Sequence, residues 1–157
     1  MVKPIPEGYH AINAALIVRD PAKAIEFYKK VFGAKERMRM ADAAGNIVHA
    51  EVDIGDTVIF LGPESAQWGN KSPQTIGGTP VVLHLYVKDV DDVVRRAEAA
   101  GAKVLMPVAD QFYGDRAGRI ADPFGHVWAV ATHKEDLSPQ EMDRRMQKWM
   151  KEQGKAT

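Results

Sequence analysis

The chain has 157 residues, 45% hydrophobic and 27% charged, as is ordinary for a soluble globular protein. Lys plus Arg matches Asp plus Glu at 21 each, and this zero formal net charge argues against a general nucleic-acid binder, which should be basic. Cysteine is absent, which excludes disulfides, thiolate metal sites and cysteine nucleophiles. No apolar run approaches the ~18–20 residues needed to span a bilayer, so no membrane partner is expected. The start, Met1 to Pro6, lacks the apolar core of a signal peptide. A soluble, cytoplasmic protein is the expectation.

Residues 1–10 are Pro-rich and read as an extended lead-in. Ile12 to Val18 reads as a strand. Asp20 is a good N-cap and Pro21 suits the first helical position. Ala24, Ile25, Phe27, Tyr28, Val31 and Phe32 recur at helical spacing, and Gly33 is a natural stop. Met38 to Ala41 is a short strand, Gly45-Asn46 a turn, and Ile47 to Asp53 an alternating strand. After Gly55 comes the strand Thr57 to Leu61. Residues 11–62 thus form a βαβββ module. Residues 63–79, rich in Gly, Pro and Ser and containing Trp68, form a connecting loop.

Residues 80–133 repeat the plan. Val81 to Val87 is a strand, and Val90, Val93, Val94, Ala97 and Ala100 mark a helix stopped by Gly101. Lys103 to Pro107 is a strand, and Gln111 to Ala121 a loop feeding another. Asp122-Pro123-Phe124-Gly125-His126 is a strong turn signal, followed by the strand Val127 to Ala131. Aligning Asp20 with Asp89 offsets the halves by 69 residues; aligning Gly55 with Gly125 offsets them by 70. Two landmarks within one residue of each other point to duplication. The expected fold class is α+β: tandem βαβββ modules forming a curled mixed sheet around a pocket.

Residues 134–157 hold a C-terminal helix and tail. Ser138 is its N-cap, Pro139 its first residue and Glu141 completes a capping box. Met142, Met146, Trp149 and Met150 form an apolar stripe that must dock on this domain or on a second subunit. Docking within the chain is the simpler expectation.

Two βαβββ modules, the run from Asp20 through Phe27-Tyr28 to Phe32-Gly33, and the closing Asp122-Pro123-Phe124-Gly125-His126 resemble the vicinal oxygen chelate superfamily. That group includes glyoxalase I, extradiol dioxygenases, fosfomycin-resistance proteins and bleomycin-binding proteins. His49-Ala50-Glu51 and Gln111 through Arg116 look most like its PhnB-like branch. The resemblance covers residues from about 10 to 133. It implies a pocket between the modules, often a homodimer, and four metal ligands from the first and fourth strands. Those ligand positions fall here on Asn13, Phe60, Val82 and Ala129. Val, Phe and Ala cannot ligate through their side chains and Asn alone is a poor ligand. No cofactor is expected, and a divalent metal, though possible, is disfavoured.

Side-chain alternation indicates what lines the pocket instead. Asn13, Ala15 and Ile17 share the ligand face of the first strand; Val82, His84 and Tyr86 share that of its second-module counterpart. Val48, Ala50, Val52 and Ile54 should face the helix, which turns His49, Glu51 and Asp53 the other way. The expected ligand-binding set is Asn13, Ile17, Phe60, Trp68, Val82, Tyr86, Tyr113, Arg116 and Ala129. An apolar cleft with sparse polar groups suits a small organic ligand. Arg116 and Arg119 at its mouth could hold a carboxylate or phosphate, or simply pair with surface acids. His84, and the His49–Glu51 pair, are the candidate catalytic groups. A metal-independent small-molecule binder is the first expectation. A lyase-, isomerase- or dioxygenase-type enzyme using those groups, with or without a metal in another register, is the alternative.

Overall fold

A computed structural model describes residues 1–155; residues 156–157 of the expected tail lie outside the described residues. The element order is β1 (Ala15–Ile17), α1 (Pro21–Phe32), β2 (Lys35–Ala41), β3 (Ile47–Ile54), β4 (Thr57–Gly62), α2 (Pro73–Ile76), β5 (Val82–Tyr86), α3 (Val90–Ala99), β6 (Lys103–Asp110), β7 (Asp115–Ala121), β8 (Val127–His133) and α4 (Pro139–Gly154). Both long module helices begin as their sequences dictate. Asp20 Oδ1 accepts from the Lys23 amide at 3.1 Å and Asp89 Oδ1 from the Asp92 amide at 3.0 Å. Gly33 ends α1 in the left-handed region at φ 67°.

Each module makes a four-stranded mixed sheet with the same topology, β1-β4-β3-β2 and β5-β8-β7-β6. The duplication extends to register. Ala15 pairs with Phe60 and Ile17 with Gly62 in the first sheet; His84 pairs with Ala129 and Tyr86 with Ala131 in the second. The second pairs lie 69 residues beyond the first. The α+β class, the tandem modules and the C-terminal helix are all present.

Some boundaries differ from the sequence reading, for local reasons. β1 is shorter than Ile12 to Val18 because the Asn13 side chain bonds the backbone of His10, donating to its carbonyl at 2.6 Å. That local bond competes with the strand ladder. β6 runs on through Pro107, where its pairing with β7 shifts register and no ladder donor is needed. Ser72 caps a short helix, α2, inside the connecting loop.

The modules join through the helix sides of their sheets. α1 packs on β3 and against α3, and α3 packs on β6, β7 and β8. Phe32 lies 4.7 Å from Trp128 and Phe27 lies 5.9 Å from Phe124, between ring centroids, so α1 also seats on the second module. Tyr28, Ile25, Val31, Val52, Leu61, Ile120 and Val130 are fully buried in this one core. The opposite faces of the sheets stay open: Met38, Met40, Val82, Tyr86 and Met106 are exposed. α4 has no buried residue. It leans on the domain through Trp149, 5.4 Å from Phe112, while Met150 remains exposed.

Candidate functional site

The best-formed cavity, of about 430 Å³, lies on the open face of the first sheet. Ile17 from β1, Val48 and His49 from β3, Phe60 from β4, and Glu64 and Trp68 from the connecting loop line it. The loop is shaped for this. Ser65 and Asn70 exchange backbone hydrogen bonds at 3.0 and 2.9 Å, which folds the segment between them over the sheet edge. Trp68 sits on that fold and is 76% exposed. Glu64 ties the loop down, accepting from the Ser72 amide at 2.9 Å and its hydroxyl at 2.8 Å. Hydrogen bonds from Thr75 and Ser72 hold the Glu64 carboxyl down at about 2.

A hydrogen-bonded triad adjoins the cavity. His49 Nε2 lies 3.1 Å from Glu51 Oε1, and the Tyr9 phenol donates to Glu51 Oε2. Tyr9 also packs edge-on against Phe60, with its centroid 6.1 Å away, and Arg37 lies 4.7 Å over its ring. Glu51 is only 7% exposed. Burial works against its charge, but the bonds from Tyr9 and His49 outweigh that and keep its carboxyl below the ordinary value. Phe60, 5.5 Å from His49 between centroids, backs the imidazole. The triad can orient a histidine and support proton transfer to or from it.

Alternation places His49 and Glu51 correctly but misplaces Val48. Met40 pairs with His49 and Ala41 with Ile47, so Val48 is left over in a β-bulge. Ile47 is therefore 8% exposed and Val48, expected on the helix side, 48%. Tyr9 is not legible in the sequence, because a Pro-rich lead-in has no periodicity to read; its one signal is a lone aromatic beside Gly8.

The expected pocket residues do not share one cavity. Val82, His84, Tyr86 and Ala129 sit on the open face of the second sheet, and none of them lines the first-module cavity. The reason is the back-to-back packing, which turns both ligand faces away from the joint. Asn13 is outside the cavity as well, held by His10. His84 tilts against Tyr86 at 4.7 Å and makes no hydrogen bond among the described residues. The Tyr86 hydroxyl donates to Asp115 Oδ2 at 3.2 Å, and Asp115 Oδ1 lies 2.7 Å from His133 Nδ1. Tyr113 packs on Phe112, and burial followed by the Asp115 charge pushes its phenol up.

Arg116 is not a free anion clamp. It holds Asp91 through Nε at 2.8 Å and Nη2 at 2.9 Å, and Asp110 through Nη1 at 3.1 Å. Asp110 on β6 is near in sequence, but the bidentate partner Asp91 comes from α3, 25 residues away, where sequence proximity could not reveal it. Arg119 pairs with Ala129 as Glu51 pairs with Phe60, so these two opposite charges occupy matching places on the two sheets. His126 donates to the Ile17 carbonyl at 2.9 Å and ties the modules together.

The four positions implied to hold a metal do not fit one. Asn13 is bonded to backbone, and Phe60, Val82 and Ala129 offer only hydrocarbon. No group of three or more His, Asp or Glu among the described residues is arranged to hold a metal ion.

Comparison with known proteins accords with this fold. Residues 10–130 match the family described as the Glyoxalase/Bleomycin resistance protein/Dioxygenase superfamily. An uncharacterized protein of Mycobacterium tuberculosis strain H37Rv, Rv0887c, is 40% identical over 139 residues, 87% of this chain and 82% of that one. The crystal structure of TioX from Micromonospora sp. ML1 superposes with a TM-score of 0.61 at 28% identity, covering 78% of this chain and 99% of that one. A PhnB protein from Bacillus cereus, described as a putative 3-demethylubiquinone-9 3-methyltransferase, shares the fold with a TM-score of 0.62 at 16% identity, over 78% and 99% of the chains. The chain belongs to the glyoxalase/bleomycin resistance protein/dioxygenase superfamily, the vicinal oxygen chelate group.

Proposed function

We propose that this protein binds a small organic molecule in the first-module cavity, without using the metal positions of its superfamily. The carrying observation is the cavity itself: about 430 Å³, walled by Ile17, Val48, Phe60 and Trp68, with His49 as its ring-bearing polar group. Apolar walls with few polar groups are how small-molecule sites are usually built, and the size falls within their range. Lys and Arg are absent from the lining, so an anionic ligand such as a phosphonate has no Lys or Arg to pair with there. Native mass spectrometry of the purified protein tests this by reporting bound small molecule, bound metal and subunit number together. A retained organic ligand, lost on Trp68→Ala, supports the reading. A stoichiometric transition metal with no organic ligand overturns it.

A homodimer belongs to the same proposal. The open faces expose Met38, Met40 and Val48 on one sheet and Val82, Tyr86 and Met106 on the other. A second copy could cover them. A monomer in native mass spectrometry would remove this part.

The second reading is an enzyme of lyase or isomerase type. The 3.1 Å contact between His49 and Glu51 at the cavity favours it, since an imidazole held by a carboxylate is suited to proton transfer. His84, unbonded on the far sheet, has less to support it.

A further inference from the structure

We infer that the cavity selects an uncharged, flat heteroaromatic ligand that donates a hydrogen bond from its own ring N–H or O–H to Nδ1 of His49. This rests on the ligand-binding reading above and adds the chemical class of the ligand. His49 has two ring nitrogens, and Nε2 is committed to Glu51. Glu51 is acceptor-only when ionised, so Nε2 carries the proton of the neutral imidazole. That leaves Nδ1 as an acceptor, and no protein group among the described residues occupies it. A histidine that lines an apolar cavity with an unfilled acceptor favours a donor from the ligand.

Glu51 cannot switch this tautomer freely, because its other oxygen accepts the Tyr9 phenol. Tyr9 is itself seated against Phe60 and under Arg37. Tyr9 and Glu51 are thus positioning residues for His49. The walls set shape and charge. The rings of Phe60 and Trp68 favour a planar ligand. Glu64 is engaged by Ser72 through Oε1 and by Arg19, 4.0 Å from Oε2, and Glu51 is engaged by Tyr9 and His49, so both carboxylates already have partners of their own and both repel anions.

Indole and 1-methylindole test this, since they share shape and differ in the one donor. Calorimetric titration should show indole binding the wild-type protein about five- to tenfold more tightly, the worth of one hydrogen bond. His49→Phe should abolish the difference while both probes still bind. Glu51→Gln can donate to Nε2 and so move the ring proton to Nδ1; the preference should then shift from indole to quinoline, which accepts. A merely structural role for Glu51 would weaken all three probes alike. Because variants can misfold, the imidazole ¹⁵N spectrum of the wild-type protein gives a second readout: the His49 Nδ1 resonance should shift with indole and not with 1-methylindole. Equal binding of the two indoles overturns the donor inference and leaves the cavity reading intact. Failure of both to bind, with no effect of Trp68→Ala, overturns both.

Discussion

The phenol of Tyr28, on α1, donates a 2.6 Å hydrogen bond to Oδ2 of Asp122, 94 residues further along the chain. The same carboxylate accepts the Trp128 indole N–H at 2.9 Å and the amides of Phe124 and His126 at 2.9 and 3.0 Å. One buried acid therefore shapes the turn before β8 and binds the first module to the second. Asp122→Ala strands four donors, and each unmet buried group costs about 1–3 kcal/mol. Partial access of water to the turn amides keeps the expected total at about 3–5 kcal/mol. Tyr28→Phe removes one donor and should cost about 1–3 kcal/mol. Urea unfolding measures both, and losses below about 0.5 kcal/mol for both would mean the modules are joined by apolar packing alone.

The glycine of that turn predicts a contrast with its counterpart in the first module. Gly125 has φ 91°, and a Cβ there would sit 2.8 Å from Pro73 Cβ on α2. Gly55 has φ 59° with nothing within 4 Å. Gly55→Ala should cost only the left-handed backbone penalty, about 1–2 kcal/mol. Gly125→Ala adds a collision with α2 and should cost more, about 2–4 kcal/mol in all. Thermal melting of the two variants gives the comparison. Equal losses would show that α2 yields freely.

Much of this fold is legible in the chain because its signals are local. Asp20 and Asp89 as caps, Gly33 as a stop, and the Asp122 turn before an apolar strand each act within a few residues. The matching offsets then give the duplication, and the pairing of Ala15 with Phe60 and His84 with Ala129 follows it to the residue. The site is less legible. Alternation finds His49 and Glu51 on one face, but a bulge at Val48 reverses the neighbouring residue. Equivalent positions in a repeat also say nothing about which faces meet. His84 and Ile17 thus lie on separate sheets rather than in one pocket. Tyr9 and Arg116 depend on partners from other elements, Glu51 for one and Asp91 for the other, and long-range pairing leaves no pattern in a single sequence.

Acid should loosen the loop that carries Trp68. The Glu64 carboxyl is held at about 2 when folded, against 4.5 ordinarily, through Thr75 and Ser72. As pH falls, the unfolded chain takes up this proton first. The stabilisation is complete above 4.5 and is lost between 4.5 and about 2. The Trp68 indole resonance should therefore shift across that window in wild type. In Glu64→Gln it should stay flat, already displaced. A flat wild-type profile would show that the Ser65–Asn70 pairing holds the loop without Glu64.

Base should act at a different place, where β8 leads into α4. His133 lies 2.8 Å from Asp136 through Nε2 and 2.7 Å from Asp115 through Nδ1. The bonds to Asp136 and then to Asp115 raise its pKa above the ordinary 6.5. The folded state therefore binds this proton more tightly than the unfolded chain does. The stabilisation is fully present below 6.5 and disappears as pH rises through the raised folded value. Its loss removes one of the two bonds that hold His133 between Asp115 and Asp136 and so loosens the approach to Ser138 and α4, while the Lys134 and Glu135 amides still bond the Gly114 carbonyl. Amide exchange of α4, corrected for intrinsic base catalysis, should accelerate as pH passes through that value. His133→Gln, which bonds without titrating, should remove the dependence while keeping the helix attached. If α4 protection in wild type is independent of pH from 6.5 upward, the Phe112–Trp149 contact and the Glu135–Arg145 pair carry the helix without His133.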